Sequence, residues 1–247
     1  MVILPSRRKN FVSQGVQNDP YWNNVVFLSH FDTSGINRTF FDVSSNPITL
    51  TGQTPVLLFT GWVPTGTKFG GGSVNLSTST NSMLSGANDG RFTLTDQDWT
   101  VEGWYWLYNN GASVRQLFLT NFLRIQGAGT AGNLTFQSSR DNFVLGANLI
   151  GIGTNIPLGT GDWHHFAVQR KKESSTFRYD LFVDGIFKST VSNTGNHAGT
   201  SLLRFNPGQG GSNAYPHMID DFRITTGVAR YATGVDFTPP TQPYPNQ

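Results

Sequence analysis

The chain has two glutamates, Glu102 and Glu173, and they bound the acid–base chemistry open to it. Hydrolysis of a glycosidic bond with retention takes two carboxyls roughly 5 Å apart. Glu102 stands in the strand-like run WTVEGWYW at residues 99–106, where the alternating neighbours are Thr100, Trp104 and Trp106 rather than a second acid. Asp96 and Asp98 precede that run. The pair is incomplete, and the plain reading of Glu102 is a hydrogen-bonded structural or rim residue. Nucleophilic chemistry fares no better. A G-x-S-x-G elbow is missing, because Gly210-Gly211-Ser212-Asn213 runs into Ala214 where the last glycine is needed. His164 and His165 are adjacent in a strand pattern, point to opposite faces and cannot chelate one metal together. One should pack beside Trp163 and the other meet solvent. Residues 127–132 match G-x-G-x-x-G, yet the strand-like Asn133-Leu134-Thr135-Phe136 follows in place of a helix. That is a hairpin loop and not a phosphate cradle.

Binding chemistry has more to work with. Loop aromatics beside amides suit a sugar, whose apolar face stacks while its hydroxyls are hydrogen-bonded: Trp62, Tyr108 with Asn109, His197 and Tyr215 are the candidates. The same residue types serve subunit contacts equally well. Trp99, Trp104 and Trp163 sit in alternating apolar strands and read as core. Near the start, Arg7, Arg8 and Lys9 with Phe11, Tyr21 and Trp22 make a docking arm for an acidic partner surface. The plainer alternative is a frayed, solvated terminus, although unanchored tails rarely carry three aromatics.

The elements that must position these groups are strands. Of the 247 residues only 13% are charged, while 28 are glycine and 13% aromatic, a composition for sheets joined by tight turns. Turn residues recur every eight to twelve positions, the pattern of a sandwich, and one domain is expected. The clearest hairpin joins residues 163–170 to 177–183. In its second strand Phe177, Tyr179, Leu181 and Val183 face one layer, while Arg178, Asp180 and Phe182 mostly face out. Asp184-Gly185 supplies the next tight turn, into a strand at 186–191. A single helical turn is the most that residues 227–231 could form. The absence of cysteine makes the fold independent of disulfides. Net charge is +2, and Arg7, Arg8 and Lys9 alone supply three positive charges, so no basic stripe for nucleic acid exists. The twin arginines precede a polar segment, which is no export signal, and no apolar run is long enough for membrane insertion. The expected organisation is an N-terminal arm at 1–24, a sandwich at 25–237 and a proline-rich tail at 238–247 lying extended on the surface.

Five landmarks occur in order: Phe27-Leu28-Ser29-His30-Phe31-Asp32, Lys68-Phe69-Gly70-Gly71-Gly72-Ser73-Val74, Asp98-Trp99-Thr100-Val101-Glu102-Gly103-Trp104, the pair 162–168 and 181–185, and MIDDFRITTGVARY at 218–231 before Phe237-Thr238-Pro239-Pro240. Together they resemble the LamG-like domains of the concanavalin A-like lectin/glucanase superfamily, in the versions found in tailed-phage structural proteins. The resemblance implies an all-β fold, a two-sheet antiparallel β-sandwich (concanavalin A-like jelly roll) with an extended N-terminal arm. Glucanases of this superfamily place two glutamates at even spacing on one strand, and this chain departs from that pattern. Relatives of this kind hold calcium at the sandwich rim through aspartates and carbonyls. Asp32, Asp220 and Asp221 would be the ligands here, although adjacent Asp220 and Asp221 face one ion together only if a bulge intervenes. The plainer reading pairs one of them with Arg223 or Arg230 and leaves the other solvated. No cofactor is required; calcium is the one cation the resemblance allows.

The resemblance implies a non-enzymatic phage virion structural protein, a capsid decoration, head-fibre or tail-associated module exposing a lectin-like sandwich for host glycan adhesion. Its partners would be other virion proteins and itself, as a homo-oligomer such as a trimer, together with a cell-surface glycan. It would be found in the virion, assembled in the host cytoplasm. A carbohydrate-binding lectin outside a virion is the alternative, and a glycosidase the third reading.

Overall fold

In the computed structural model of this chain the described residues are 18–32, 35–59, 66–76, 84–85, 90–92, 94, 96–107, 115–119, 123–128, 133–139, 148–155, 162–194, 203–205 and 217–247. Among them the β-rich composition forms strands joined by short turns. The first are β1 (Val25–Ser29), β2 (Gly35–Phe41), β3 (Thr49–Phe59), β4 (Ser73–Leu76) and β5 (Leu84–Ser85). There follow β6 (Trp99–Leu107), β7 (Arg115–Leu119), β8 (Leu123–Ala128), β9 (Asn133–Ser139) and β10 (Asn148–Asn155). The last are β11 (Trp163–Glu173), β12 (Thr176–Val183), β13 (Ile186–Asn193), β14 (Arg204–Phe205) and β15 (His217–Thr226). The one helical piece among the described residues is a 3₁₀ turn, Trp22–Asn24; residues 227–231 form none.

The strands follow one antiparallel path, β10-β9-β8-β7-β14-β5-β3-β4-β15-β6-β11-β12-β13, with β1 added to β15 and β2 to β3. β3 carries the ladder round a corner. Its first half pairs β5, its second half pairs β4, and the β2–β3 register slips between Asn37 and Thr39. Such slips bend a strand so that it can pass from one layer to the next. The two ends of the path, β10 and β13, come into contact. The ladder therefore folds over on itself as the expected all-β antiparallel sandwich, with its layers joined through β3. Between them lie Phe27 from β1, Trp99, Val101 and Tyr105 from β6, Phe166 and Val168 from β11, and Ile219, Phe222 and Ile224 from β15.

The predicted hairpin is β11–β12, and it runs further than expected: its turn is only Ser174-Ser175, with Ser174 at φ 50°. Asp184 and Gly185 take φ 52° and 74° and lead into β13, as their sequence asks. Gly127 and Ala128 end β8, and Ala128 pairs with Asn133 at the start of β9, so a strand and not a helix follows the glycine-rich stretch.

The outer face of β12 departs from expectation. Phe177, Tyr179, Leu181 and Val183 do enter the core. Yet Asp180 and Phe182, expected to face out, are also buried. A strap formed by residues 228–247 covers them. Tyr231 stacks on Phe237 at 3.7 Å, and Phe182 meets both rings. Prolines and sharp turns deny the strap a ladder, so side chains satisfy several of its backbone groups, beside isolated backbone bonds such as Phe237 N to Gly185 O at 2.8 Å. Gln169 Nε2 donates to Tyr231 O and Gln169 Oε1 accepts from Tyr231 N, both at 3.0 Å. Thr100 hydroxyl donates to Val228 O and accepts from Arg230 N. Gly185 meets the strap so closely that a β-carbon there would stand 2.0 Å from Phe237 O.

Candidate functional site

Among the described residues, chemistry-bearing side chains gather in two places: the outer face beneath the strap, and the rim where β1 and β4 follow one another along the edge of β15.

Beneath the strap the centre is Glu102, fully buried on β6. Arg223 Nε and Nη2 donate to its Oε1 at 3.0 and 2.7 Å. The Tyr231 hydroxyl donates to its Oε2, and the Tyr244 hydroxyl lies 3.4 Å from the same oxygen. Arg223 and Arg230 also grip a second carboxylate, Asp19. Arg223 Nη1 lies 2.9 Å from Oδ2, and Arg230 Nη1 and Nη2 donate bidentately at 2.9 and 2.7 Å. Two carboxylates thus face two guanidiniums, which is the condition for burying such charges. Burial alone would raise the Glu102 carboxyl; Arg223 and Arg230 outweigh it and hold it below its ordinary range. Asp19 is likewise held low, its burial overcome by the bond from Arg230. His165 sits beside Glu102 with Nε2 2.9 Å from the Tyr244 hydroxyl, and burial pushes it down to about 4, so it is neutral at pH 7. A cleft of about 400 Å³ lies over this network, between residues 18–20 and the strap residues 238–245. Glu102 is closed to any substrate that enters it. Every lone pair that a general acid or nucleophile would need is committed.

The rim owes its form to a bulge. Asp220 opposes Trp104 and Arg223 opposes Glu102, so two residues of β15 stand against Gly103 alone. A β-carbon on Gly103 would come within 3.1–3.3 Å of Phe222 and Asp221, which explains the glycine. Asp221, at φ 48°, is the residue turned by the bulge. Asp220 Oδ2 accepts from Lys68 N and Phe69 N at 2.7 and 3.0 Å. Asp221 Oδ1 takes His30 Nδ1 and its Oδ2 accepts from Tyr244 N at 2.8 Å. Asp32 Oδ1 accepts from Gly71 N at 2.8 Å. Burial raises Asp220 to about 8, against the two backbone donors and with help from Asp221 and Asp32. Its Oδ1 has no hydrogen-bond partner among the described residues, and the carboxyl is largely protonated at neutral pH. Burial also lifts Asp221.

The bulge allowed for in the sequence reading is therefore present, but it splits the aspartates. Asp220 and Asp32 flank the turn at 68–71, and Asp221 is spent on His30 and Tyr244. Among the described residues no three acidic or histidine side chains converge to hold an ion. The plainer reading, one of these aspartates paired with Arg223 or Arg230 and the other solvated, is corrected. Those arginines take Glu102 and Asp19, and neither Asp220 nor Asp221 is solvated. Asp19 carried no signal in the sequence beyond its place before the Pro20-Tyr21-Trp22 run.

Of the arm candidates, Tyr21 and Trp22 are described, and both meet their own sandwich. Arg230 lies over the Tyr21 ring at 5.2 Å, and Trp22 packs on Val25, Leu28 and Tyr244. His165 is buried and His164 half-buried against Asp184, as opposite faces require. Arg7, Arg8, Lys9 and Phe11 lie outside the described residues, as do Trp62, Tyr108, Asn109, His197 and Tyr215.

Residues 70–230 match the family model of the concanavalin A-like lectin/glucanases superfamily. No curated protein matches the sequence. Among solved structures, the chain is similar to the binding domain of Paraclostridial Mosquitocidal Protein 1 (TM-score 0.63, 16% identity, covering 83% of this chain and 49% of that one). It is also similar to the receptor binding domain of botulinum neurotoxin D (TM-score 0.61, 11% identity, 83% and 50%). A third is the binding domain of botulinum neurotoxin DC in complex with SialylT (TM-score 0.59, 11% identity, 83% and 48%). The chain spans about half the length of these structures. At such identities the likeness is one of fold.

Proposed function

The chain belongs to the concanavalin A-like lectin/glucanases superfamily, and from that premise we propose that it is a non-catalytic carbohydrate-binding module exposed on a tailed-phage virion. The observation that carries the non-catalytic half is the state of Glu102. The single glutamate on β6 is buried and locked between Arg223 and Tyr231, while the sandwich around it is kept. Retaining hydrolysis needs two accessible carboxyls, and this strand offers none. The binding half is supported by the superfamily and by the solved binding domains that share the fold. The virion half rests on the order of the sequence landmarks. In this reading the arm at residues 1–17 attaches to the particle, and the module repeats there as a homo-oligomer, a trimer.

Saturable binding of the purified chain to a subset of an oligosaccharide array, without release of reducing ends, is the expected result. Reducing-sugar release from any of those oligosaccharides would overturn the reading. Chelation with EDTA is expected to leave binding unchanged, because no cofactor is needed. For the virion half, a chain lacking residues 1–17 keeps Asp19, Tyr21 and Trp22 on the sandwich. It should fold and fail to join particles in electron cryo-microscopy; undiminished incorporation contradicts it.

A further inference from the structure

We propose that the rim cleft bounded by Phe41, Val43, Asp32 and Asn246 is a carbohydrate subsite for a neutral, hydroxyl-rich sugar; this rests on the binding-module reading above. The cleft encloses about 290 Å³ beside residues 29–32, at the end of β1. That is near the lower end of small-ligand sites, roughly 300–1,000 Å³, and suits one or two sugar rings.

Its apolar wall is exposed by construction. Phe41 is 59% and Val43 36% accessible, although the residue between them is buried. Asp42 anchors both. Its Oδ1 accepts from Leu28 N and Ser44 N, each at 2.9 Å, and its Oδ2 accepts from Ser44 Oγ and Ile48 N at 2.9 and 3.1 Å. Val43 N in turn donates to Leu28 O at 2.7 Å. The Phe41 ring is thus held out in water by a fixed backbone. Covering it with the C–H face of a pyranose releases that water with little ordering cost.

The polar wall is complementary. Asp32 uses Oδ1 on Gly71 N and offers Oδ2 as an acceptor for a hydroxyl. Gly70, at φ 55°, makes room, since a β-carbon there would stand 2.2 Å from Asp32 Oδ1. On the opposite side His30 fixes the strap. Its Nδ1 contacts Asp221 and its Nε2 lies 2.6 Å from Asn246 Oδ1, which leaves the Asn246 amide nitrogen as a donor. An acceptor, a donor and an aromatic face then surround one small volume. The sign of the charge selects the ligand class. His30 and Asp221 pair with each other, so the exposed charge of the cleft is the Asp32 carboxylate, which repels acidic sugars.

The test uses the full chain on an array carrying both neutral hexose or N-acetylhexosamine glycans and sialylated ones. Phe41→Ala and Asp32→Asn are each expected to weaken binding to neutral glycans at least tenfold, with unchanged thermal midpoints. Phe41→Tyr, which keeps the platform, and Ile186→Ala, an exposed apolar residue outside the cleft, should bind as the parent does. Parental binding to neutral glycans that survives Phe41→Ala within twofold overturns the site and leaves the module reading standing. Binding confined to sialylated glycans overturns the neutral class. A parent that binds no glycan overturns both the site and the reading beneath it.

Discussion

The face beneath the strap and the rim at the β15 bulge are made of the same kinds of residue, and they differ in how their charges are closed. Beneath the strap Asp19 and Glu102 meet Arg223 and Arg230 one for one, and Tyr231, Tyr244 and Pro239 shut the cover. At the rim three aspartates answer to one histidine and a few backbone amides. One of these carboxyls keeps its proton near neutrality, and another, Asp32, stays exposed. A closed network stabilises; an open one has unused hydrogen-bonding capacity and can bind. The contrast assigns structure to the first region and recognition to the second.

The largest expected effect sharpens the first half. Glu102→Gln leaves both guanidiniums short of a charge in a buried site, and such breaks cost about 3–5 kcal/mol. Urea denaturation should show that loss, whereas a change under 1 kcal/mol would mean the network is not closed. Acid is the next probe. His165 titrates at about 4 in the fold against 6.5 when unfolded. The unfolded chain therefore binds the extra proton between those values, and stability falls as pH drops from 6.5 towards 4. That drop is on the order of 3 kcal/mol. Asp19 and Glu102, both held low, add to the loss below their unfolded values of 3.8 and 4.5.

The rim carries the opposite sign. Asp220 is raised from 3.8 to about 8, so its contribution is complete below 3.8 and drains away as pH rises to about 8. Asp220→Asn should stabilise the protein at pH 8 by on the order of 1–3 kcal/mol and do little at pH 4. Equal effects at the two pH values would break the comparison. The smallest effect is at the binding wall, where Phe41→Ala should change stability by no more than about 0.5 kcal/mol, as exposed positions do.

Much of the scaffold was legible in the sequence. The β11–β12 hairpin shows in the alternation of Phe177, Tyr179, Leu181 and Val183, and the next turn in Asp184-Gly185. What covers a face was not legible. Phe182 and Asp180 alternate like outward residues, and only the fold brings Tyr231 and Phe237 over them. The β15 bulge stood in the sequence only as a condition for a shared ion, since its room comes from Gly103 on a strand far away in sequence. Asp19 looked like part of a loose arm because its partners, Arg223 and Arg230, lie some 200 residues on. The cleft residues Phe41 and Val43 carried no mark, because exposure is a property of the surroundings. The aromatics that did stand out, Trp62, Tyr108 and Tyr215, lie outside the described residues.

The most direct test measures neutral-glycan affinity per folded molecule for Glu102→Gln and Phe41→Ala side by side. The account predicts that Glu102→Gln, although less stable, binds like the parent, while Phe41→Ala, although fully stable, loses at least tenfold. Binding lost on Glu102→Gln and kept on Phe41→Ala would contradict it, and would place recognition beneath the strap instead.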